Sequence, residues 1–169
     1  MDEILKDLDF CFAYINDILV FSCSPQEHDQ HLRIFVTKLQ NYGILLNPSK
    51  CVFRVPEISF LGYKISFMGS QPLPERVADL QAWLLPKTVS QLRRFLGMLN
   101  FYRRFVPHAA TIQAPLHDVL SGPKVKGSYP VTWNDTLVAA FNECKTSLSQ
   151  ATLLAHPHPT APLALVTDA

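Results

Sequence analysis

Residues 10–22 read FCFAYINDILVFS, two short apolar and aromatic runs on either side of Asn16 and Asp17. Two such runs separated by two turn-forming residues are typical of a β-hairpin with a two-residue turn. Both runs are apolar almost throughout, so we expect the sheet face behind them to be covered. The Asp17 carboxylate would project from the hairpin tip, where a rigidly held oxygen suits a divalent metal ion. The alternative is that Asn-Asp is only favourable turn chemistry.

A helix and further strands are predicted after this hairpin. Residues 24–27, SPQE, form a capping box with proline at the first helical position, and Gly43 is a helix stop. Short strands are predicted at 51–55, CVFRV, and 57–67, EISFLGYKISF, followed by a turn at 68–70. The apolar face of the helix comprises Leu32, Phe35, Val36, Leu39 and Tyr42.

The second half of the chain has the pattern of a helical region. Pro72 and Pro74 mark a boundary, a short helix is predicted over 75–84, and Pro86 ends it. A second capping box at 88–91 begins the next helix. The buried face of that helix comprises Leu92, Phe95, Leu96, Leu99 and Tyr102.

Two more helices are predicted beyond Pro107. One covers 108–120, and the loop 121–130 follows it. Asn134 caps the other. The last residues, PLALVTDA, have the composition of a strand that has barely begun. The core positions of the helix after Asn134 are Leu137, Phe141, Cys144 and Leu148.

The charge of the chain is unevenly distributed. Hydrophobic residues make up 48% and charged residues 17%, which excludes a disordered charged tail. The formal net charge is +1, yet residues 81–130 carry seven lysines and arginines against one acid, Asp118. This asymmetry indicates a local basic surface for a polyanion.

Nothing in the sequence indicates a membrane or an oxidising compartment. The acidic start, MDEILKDLDF, is unlike a signal or transit peptide, and no apolar run approaches the roughly 20 residues of a membrane span. Cysteines at 11, 23, 51 and 144 are too far apart in sequence for a CxxC pair. We therefore expect an intracellular protein, in cytoplasm or nucleus, with reduced thiols and no membrane partner.

Six motifs follow one another along the chain, with a terminal TDA. They are YINDILVFS, EHDQHL, NYGILLNPSKC, FLGYKIS, RRFLGMLNFYRRFVP and LLAHPHP. In this order and at these spacings the chain resembles the Pol polyprotein of gypsy-type LTR retrotransposons, from about residue 1 to residue 169. Retroviral reverse transcriptases are similar at a greater distance.

The resemblance implies an α+β fold. We expect part of a reverse-transcriptase palm, built of antiparallel hairpins and a helix, then a helical thumb and a connection leading into an RNase H-like first strand. The expected domains are 1–71 for the C-terminal part of the palm, 72–130 for the thumb, 131–160 for the connection and 161–169 for the first strand of a truncated RNase H-like domain. The implied family activity is RNA-directed DNA polymerase with ribonuclease H.

The resemblance also identifies the hairpin tip as the remnant of a metal site. In the family the tip reads Tyr-x-Asp-Asp, and both aspartates, with a third from an earlier strand, serve two Mg²⁺ ions. Asp17 matches the second aspartate, whereas Asn16 stands where the first should be. Asparagine offers a neutral oxygen in place of an anion, so we expect Asp17 to bind metal weakly and Mg²⁺ not to be held stably.

Two further features lead us to expect that the chain alone is catalytically inactive. The third polymerase carboxylate of the family belongs to a strand upstream of Met1. Asp168 matches the first carboxylate of the RNase H site, and the others would follow Ala169. Asp168 is thus expected to be a remnant as well, or simply an exposed terminal acid.

The helix after residue 88 is the best candidate for a retained binding surface. Arg93, Gly97 and Phe101 are spaced i, i+4, i+8 and share one face. In related reverse transcriptases this face follows the minor groove of the template–primer, and the glycine permits close approach. Arg94, Arg103 and Arg104 would contact phosphates. The implied partner is an RNA–DNA hybrid or a DNA duplex; the alternative is a solvated basic face.

Two other sets of residues have weaker functional interpretations. Phe60, Leu61, Gly62 and Tyr63 match the primer grip, a hairpin that steadies the primer end; the alternative is an ordinary strand with a bulge at Gly62. His28 and His31 could share a metal, but no third ligand lies nearby in sequence, so we interpret them as structural.

Three hypotheses remain open at this point. The chain is an inactive piece of a retrotransposon reverse transcriptase, a non-catalytic nucleic-acid-binding module derived from a transposon thumb, or a remnant without selected function. The sequence does not indicate its oligomeric state.

Overall fold

The backbone forms two units, Met1–Phe60 and Leu61–Ala169. A computed structural model describes residues 1–121, 126–151, 153–156 and 160. Within them lie antiparallel hairpins and six α-helices, in agreement with the predicted α+β class. The expected palm, thumb and connection boundaries stay predictions. The expected strand at 161–169 lies outside the described residues.

The first unit contains the predicted hairpin with its turn shifted by one residue. β1 (Cys11–Tyr14) pairs with β2 (Asp17–Val20) in an antiparallel register that places Tyr14 opposite Asp17. The turn is therefore Ile15–Asn16, and the prediction of Asn16–Asp17 was wrong. Ile15 has a φ of 54°, a left-handed conformation that a β-branched residue seldom adopts and that the sequence pattern does not indicate.

One face of this hairpin is covered and the other is open. Cys11, Ala13, Ile18 and Val20 pack against a small core, whereas Phe12 and Tyr14 on the opposite face are each 51% exposed. The expected covering thus applies to one face only, because alternate residues of a strand point to opposite sides. The buried members of this core are Leu5, which ends α1 (Asp2–Leu5), Leu8, Phe35 and Leu39.

The helix α2 (Pro25–Asn41) begins and ends as predicted. The Ser24 hydroxyl accepts from the Glu27 N–H at 3.2 Å, and the Glu27 carboxylate accepts from the Cys23 N–H at 2.6 Å. Gly43 has a φ of 70° directly after the C-cap, and the Ile44 N–H returns to the Leu39 carbonyl, which completes a Schellman motif.

Three details after α2 differ from the predictions. Tyr42 follows the helix and is exposed. Residues 51–55 form no strand, because Arg54 has a φ of 54° and its guanidinium pairs with Asp29. The single strand predicted at 57–67 is two strands, β3 (Glu57–Phe60) and β4 (Tyr63–Ser66).

In the second unit β4 pairs with β5 (Gly69–Pro72), so the turn lies at 67–68 rather than at 68–70. Gly69, with a φ of 143°, begins β5. A Cβ there would collide with the Leu154 carbonyl, because Ser70 and Leu154 exchange two backbone hydrogen bonds of 2.9 Å.

Four helices pack around the large core of the second unit. They are α3 (Pro74–Gln81), α4 (Val89–Phe101), α5 (Ala109–Asp118) and α6 (Asp135–Ser149). All predicted core residues of α4 and α6 are buried, although Tyr102 lies just after α4 rather than within it. The Thr88 and Asn134 caps are confirmed. None of the helices in the described part of the chain is long and apolar enough to cross a membrane.

Candidate nucleic-acid interface

The predicted binding face of α4 points to solvent. Arg93, Gly97 and Phe101 are all exposed, whereas Leu92, Phe95, Leu96 and Leu99 on the other side of the helix are at most 2% exposed. The helix therefore has one apolar face that anchors it and one face with a basic residue, a glycine and an aromatic ring. A rigid helix with this exposed face can lie along a groove.

Gly97 is not required by the packing of the protein. A Cβ built at this position would have no heavy atom within 4 Å among the described residues. Glycine inside a helix is less stable than alanine by about 1 kcal/mol, because its unfolded backbone has more freedom to lose. The open space above Gly97 is thus a place where another molecule can approach the helix backbone closely.

Aromatic rings hold two of the neighbouring arginines. The Arg104 Cζ lies 4.3 Å from the centroid of the Tyr63 ring, and the Arg94 Cζ lies 5.7 Å from that of Trp83. A guanidinium over a ring keeps its in-plane N–H groups available for phosphate oxygens. Arg103 is also exposed. The second unit thus presents the basic side chains that the sequence predicted.

The predicted grip residues Leu61, Gly62 and Tyr63 lie against the C-terminal end of α4. Leu61 and Gly62 have φ values of 49° and 82°, so they form a turn between β3 and β4, and the alternative of a bulge within one strand is wrong. The Tyr63 ring stacks on Phe101 with centroids 5.0 Å apart. The structure therefore brings together two sets of residues that the sequence predicted separately.

Phe60, the fourth predicted grip residue, belongs to the first unit. It ends β3 and is 9% exposed. Its ring meets that of Phe12 edge to face, with centroids 6.1 Å apart. Phe60 thus packs within its own unit.

The hairpin tip offers a single carboxylate. Asp17 and Asn16 are both exposed, and no group of three His, Cys, Asp or Glu side chains converges in the described residues. A pair of magnesium ions needs several fixed anionic oxygens. The described residues therefore do not fit a two-metal site by themselves. Asp168 lies outside the described residues.

His28 and His31 share a hydroxyl group. Ser22 Oγ lies 3.1 Å from His28 Nδ1 and 2.7 Å from His31 Nδ1, and the His31 ring stacks on Phe10 at 3.8 Å between centroids. These contacts fix the start of α2 to the end of the β1–β2 hairpin. The structural interpretation of both histidines agrees with this arrangement.

Sequence reasoning missed the second role of Tyr102. It was predicted as a core residue, and at 4% exposed it is one. Its hydroxyl also donates to the Gly62 carbonyl oxygen at 3.1 Å. A buried tyrosine hydroxyl needs a hydrogen-bond partner, so tyrosine at the end of an otherwise aliphatic and phenylalanine face was the available signal.

Comparison of the sequence with known proteins matches the chain to a family. The family described as "Reverse transcriptase (RNA-dependent DNA polymerase)" matches residues 1–65. The Retrovirus-related Pol polyprotein from transposon opus of Drosophila melanogaster is 33% identical over 177 residues, which cover 100% of this chain. The chain is a relative of retrotransposon reverse transcriptases. The resemblance predicted from the six motifs is thereby confirmed.

Over most of its length, this reverse-transcriptase relative is also similar to a second transposon polyprotein. The Transposon Tf2-3 polyprotein of Schizosaccharomyces pombe is 33% identical over 157 residues, covering 93% of the chain. The chain spans 18% of the opus polyprotein and 11% of the Tf2-3 polyprotein.

Solved structures confirm the fold class. The foamy viral protease-reverse transcriptase in complex with double-stranded DNA matches with a TM-score of 0.81 and 26% identity, covering 91% of this chain and 27% of that one. The same viral protein in complex with an RNA/DNA hybrid matches with a TM-score of 0.79 and 26% identity, covering 91% and 21%. The α+β fold of a partial reverse transcriptase is therefore correct.

Proposed function

We propose that this chain binds an RNA–DNA hybrid or a DNA duplex along the exposed face of α4, and that it does not add nucleotides by itself. The duplex would lie with its minor groove over Gly97, between Arg93 and Phe101. Arg94, Arg103 and Arg104 would contact phosphates on either side. The Leu61–Gly62 turn, supported by Tyr63, would hold the primer end.

The observation that carries this proposal is the open space at Gly97. Glycine weakens the helix, and no described part of the chain uses the room that it leaves. Close approach by a nucleic-acid backbone explains both facts. The solved relatives in complex with double-stranded DNA and with an RNA/DNA hybrid support the class of ligand.

The charge of this surface supports a ligand with a repeating phosphate backbone. Four exposed arginines, at 93, 94, 103 and 104, lie on or directly after α4. Arginine side chains that neutralise phosphates release counterions, so binding of this kind weakens steeply with salt and depends little on sequence.

Titration of binding against salt tests the proposal. We expect the full chain to bind a labelled RNA–DNA hybrid in fluorescence anisotropy, with an affinity that falls as salt increases. The double variant Arg93→Ala/Arg103→Ala should bind more weakly, and its salt slope should be smaller by about two, one for each lost phosphate contact.

A charge-matched control separates a local surface from general attraction. The variant Arg33→Ala/Arg76→Ala removes two exposed arginines from α2 and α3 and should retain the wild-type slope. Equal slopes for both double variants, or no binding by the wild-type chain at low salt, would refute the interface.

The absence of polymerase activity rests on the hairpin tip. Asn16 supplies a neutral oxygen where the family has an anion, and Asp17 is the one carboxylate of the β1–β2 turn region. Primer extension with Mg²⁺ or Mn²⁺ should give no product from the isolated chain. Processive extension would contradict this part of the proposal without affecting the binding part.

A further inference from the structure

Two tyrosines join the Leu61–Gly62 turn to the end of α4 by reciprocal hydrogen bonds. The Tyr102 hydroxyl donates to the Gly62 carbonyl oxygen at 3.1 Å, and the Tyr63 hydroxyl donates to the Phe101 carbonyl oxygen at 3.1 Å. Phe101 is the last residue of α4, so its carbonyl has no partner within the helix. Each bond thus fixes a backbone group at one element to a side chain of the other.

The rings around these hydrogen bonds leave little freedom. The Tyr63 ring lies parallel to Phe101, at 10° between planes, and meets Tyr102 edge to face at 83°. A Cβ at Gly62 would lie 3.1 Å from Phe101 Cε1, and the φ of Gly62 is 82°. The backbone conformation therefore favours glycine at this contact, and a larger residue would also push the Phe101 ring away by a few tenths of an ångström.

A phenylalanine in place of either tyrosine would fill the same volume. The aromatic contacts, and the burial that they provide, do not depend on the hydroxyl groups. The hydroxyl groups fix the relative position of the two elements. A hydrogen bond restricts where its acceptor can lie, whereas an apolar contact allows the two surfaces to slide. Two bonds that run in opposite directions between the same elements define a single register.

We propose that Tyr63 and Tyr102 are positioning residues, which lock the Leu61–Gly62 turn to α4 and so hold a primer end in fixed register with the duplex on α4. This inference rests on the proposed function. Small displacements of reacting or bound groups cost large factors in rate or affinity, so a fixed distance between turn and helix would matter to a bound primer terminus.

Two ligands that differ only at the primer end test this role. One is an RNA–DNA hybrid with a recessed primer 3′ end, and the other is a continuous hybrid of the same sequence. The affinity ratio between them isolates the contribution of the primer end. A 2-aminopurine at the 3′ nucleotide reports independently on how that end is held.

The variants remove single hydroxyl groups. We expect Tyr102→Phe and Tyr63→Phe each to lower the affinity ratio about fivefold, which is the order of magnitude of one hydrogen bond. Each variant should also reduce the change in 2-aminopurine fluorescence that occurs when the protein binds the recessed hybrid. Tyr42→Phe, which alters an exposed tyrosine after α2, should match the wild type. A merely structural effect would lower both affinities together and leave the ratio unchanged.

Hydrogen exchange tests the contact between the Leu61–Gly62 turn and α4 in the absence of nucleic acid. Without ligand, residues 61–66 should exchange faster in Tyr102→Phe than in Tyr42→Phe, because the turn opens locally. If the wild type bound neither hybrid, the proposed function would fail. If the wild type preferred the recessed end, yet both tyrosine variants kept its ratio and its exchange rates, the positioning role would be wrong while the proposed function would stand.

Discussion

The hairpin tip of the first unit and α4 of the second each contain a residue that local rules disfavour. Ile15 is a β-branched residue with a left-handed φ of 54°, and Gly97 is a glycine inside a helix. The two differ in what surrounds them. The tip stands beside one carboxylate, whereas Gly97 lies in a surface of basic and aromatic side chains above a large core.

Backbone strain and helix-weakening residues tend to occur at functional sites. We infer from this comparison that such a residue indicates a functional site only when its neighbours supply matching chemistry. Ile15 has no such neighbours in the described residues, because no three potential metal ligands converge there. Gly97 has them, since an arginine and an aromatic ring flank it at helical spacing.

The largest expected effect is on the free energy of unfolding, when a phenylalanine is removed from the core of the second unit. Phe95 packs on Phe141 with centroids 4.6 Å apart, and Phe95→Ala should lower the free energy of unfolding by about 3–5 kcal/mol. Because Phe95 supports α4, hybrid binding should be lost with it. Denaturant unfolding and anisotropy check both effects.

Phe35→Ala is the matched control in the first unit, where Phe35 is 5% exposed. This variant should destabilise its own unit while hybrid binding stays at the wild-type level. Loss of binding in Phe35→Ala would show that the hairpin region, and not α4 alone, forms the interface.

The next largest effect is expected in the labelling rates of the cysteines, which differ in burial. Burial raises the pKa of the Cys144 thiol from 9.0 to about 12 and that of Cys11 to about 11, while Cys23 is exposed. At pH 8 an aromatic disulfide should label Cys23 first and Cys144 at least about a hundredfold more slowly, because only the thiolate reacts. Early labelling of Cys144 would mean that the second core opens readily.

The same shift gives a pH dependence of stability. The pKa of Cys144 in the folded state lies above its ordinary value. The contribution of the protonated Cys144 thiol to the free energy of unfolding is therefore fully present below pH 9.0 and is lost as pH rises towards about 12. Cys144→Ala should therefore lose less stability than the wild type between those limits. If the free energy of unfolding, measured with denaturant, fell equally with pH in the wild type and in Cys144→Ala, the burial of the thiol would be contradicted.

A smaller effect is expected when the missing carboxylate is restored at the tip. Asn16→Asp should raise the affinity for Mn²⁺ about tenfold, since one more anion close to a dication is worth a few kcal/mol at most in water. Asn41→Asp, at the end of α2, is the control with the same charge change. Calorimetry that showed tight binding by the unaltered chain would reverse the interpretation of the tip.

The smallest effect is expected at Ile15. Asparagine tolerates the left-handed conformation better than a β-branched residue, so Ile15→Asn should stabilise the first unit by about 0.5–1 kcal/mol. Thermal unfolding checks this value. A loss of stability would show that the exposed isoleucine side chain makes a contribution larger than its backbone strain.

The sequence predicted the features that depend on neighbouring residues. The caps at Ser24, Thr88 and Asn134 and the buried faces of α4 and α6 follow from patterns within a few turns of helix, and the structure confirms them. The apolar run at 51–55 was indistinguishable from a strand by composition. What it lacks is an extended backbone, since Arg54 turns left-handed.

The features that were missed depend on contacts between distant residues. Nothing local to Tyr102 shows that its hydroxyl reaches Gly62, and nothing local to Tyr63 shows that it stacks on Phe101. The shift of the hairpin turn likewise follows from the conformation of Ile15, which its residue type disfavours. The candidate interface could thus be predicted as two separate motifs but not as one surface.

Gly97→Ala tests the central claim most directly, because it separates the needs of the fold from those of binding. The added methyl group meets open space, so the variant should be more stable than the wild type by about 1 kcal/mol. Its affinity for the RNA–DNA hybrid should nevertheless fall, and that of Gly97→Leu should fall further. A stabilised Gly97→Ala and a folded Gly97→Leu that both bind the hybrid as tightly as the wild type would contradict the account.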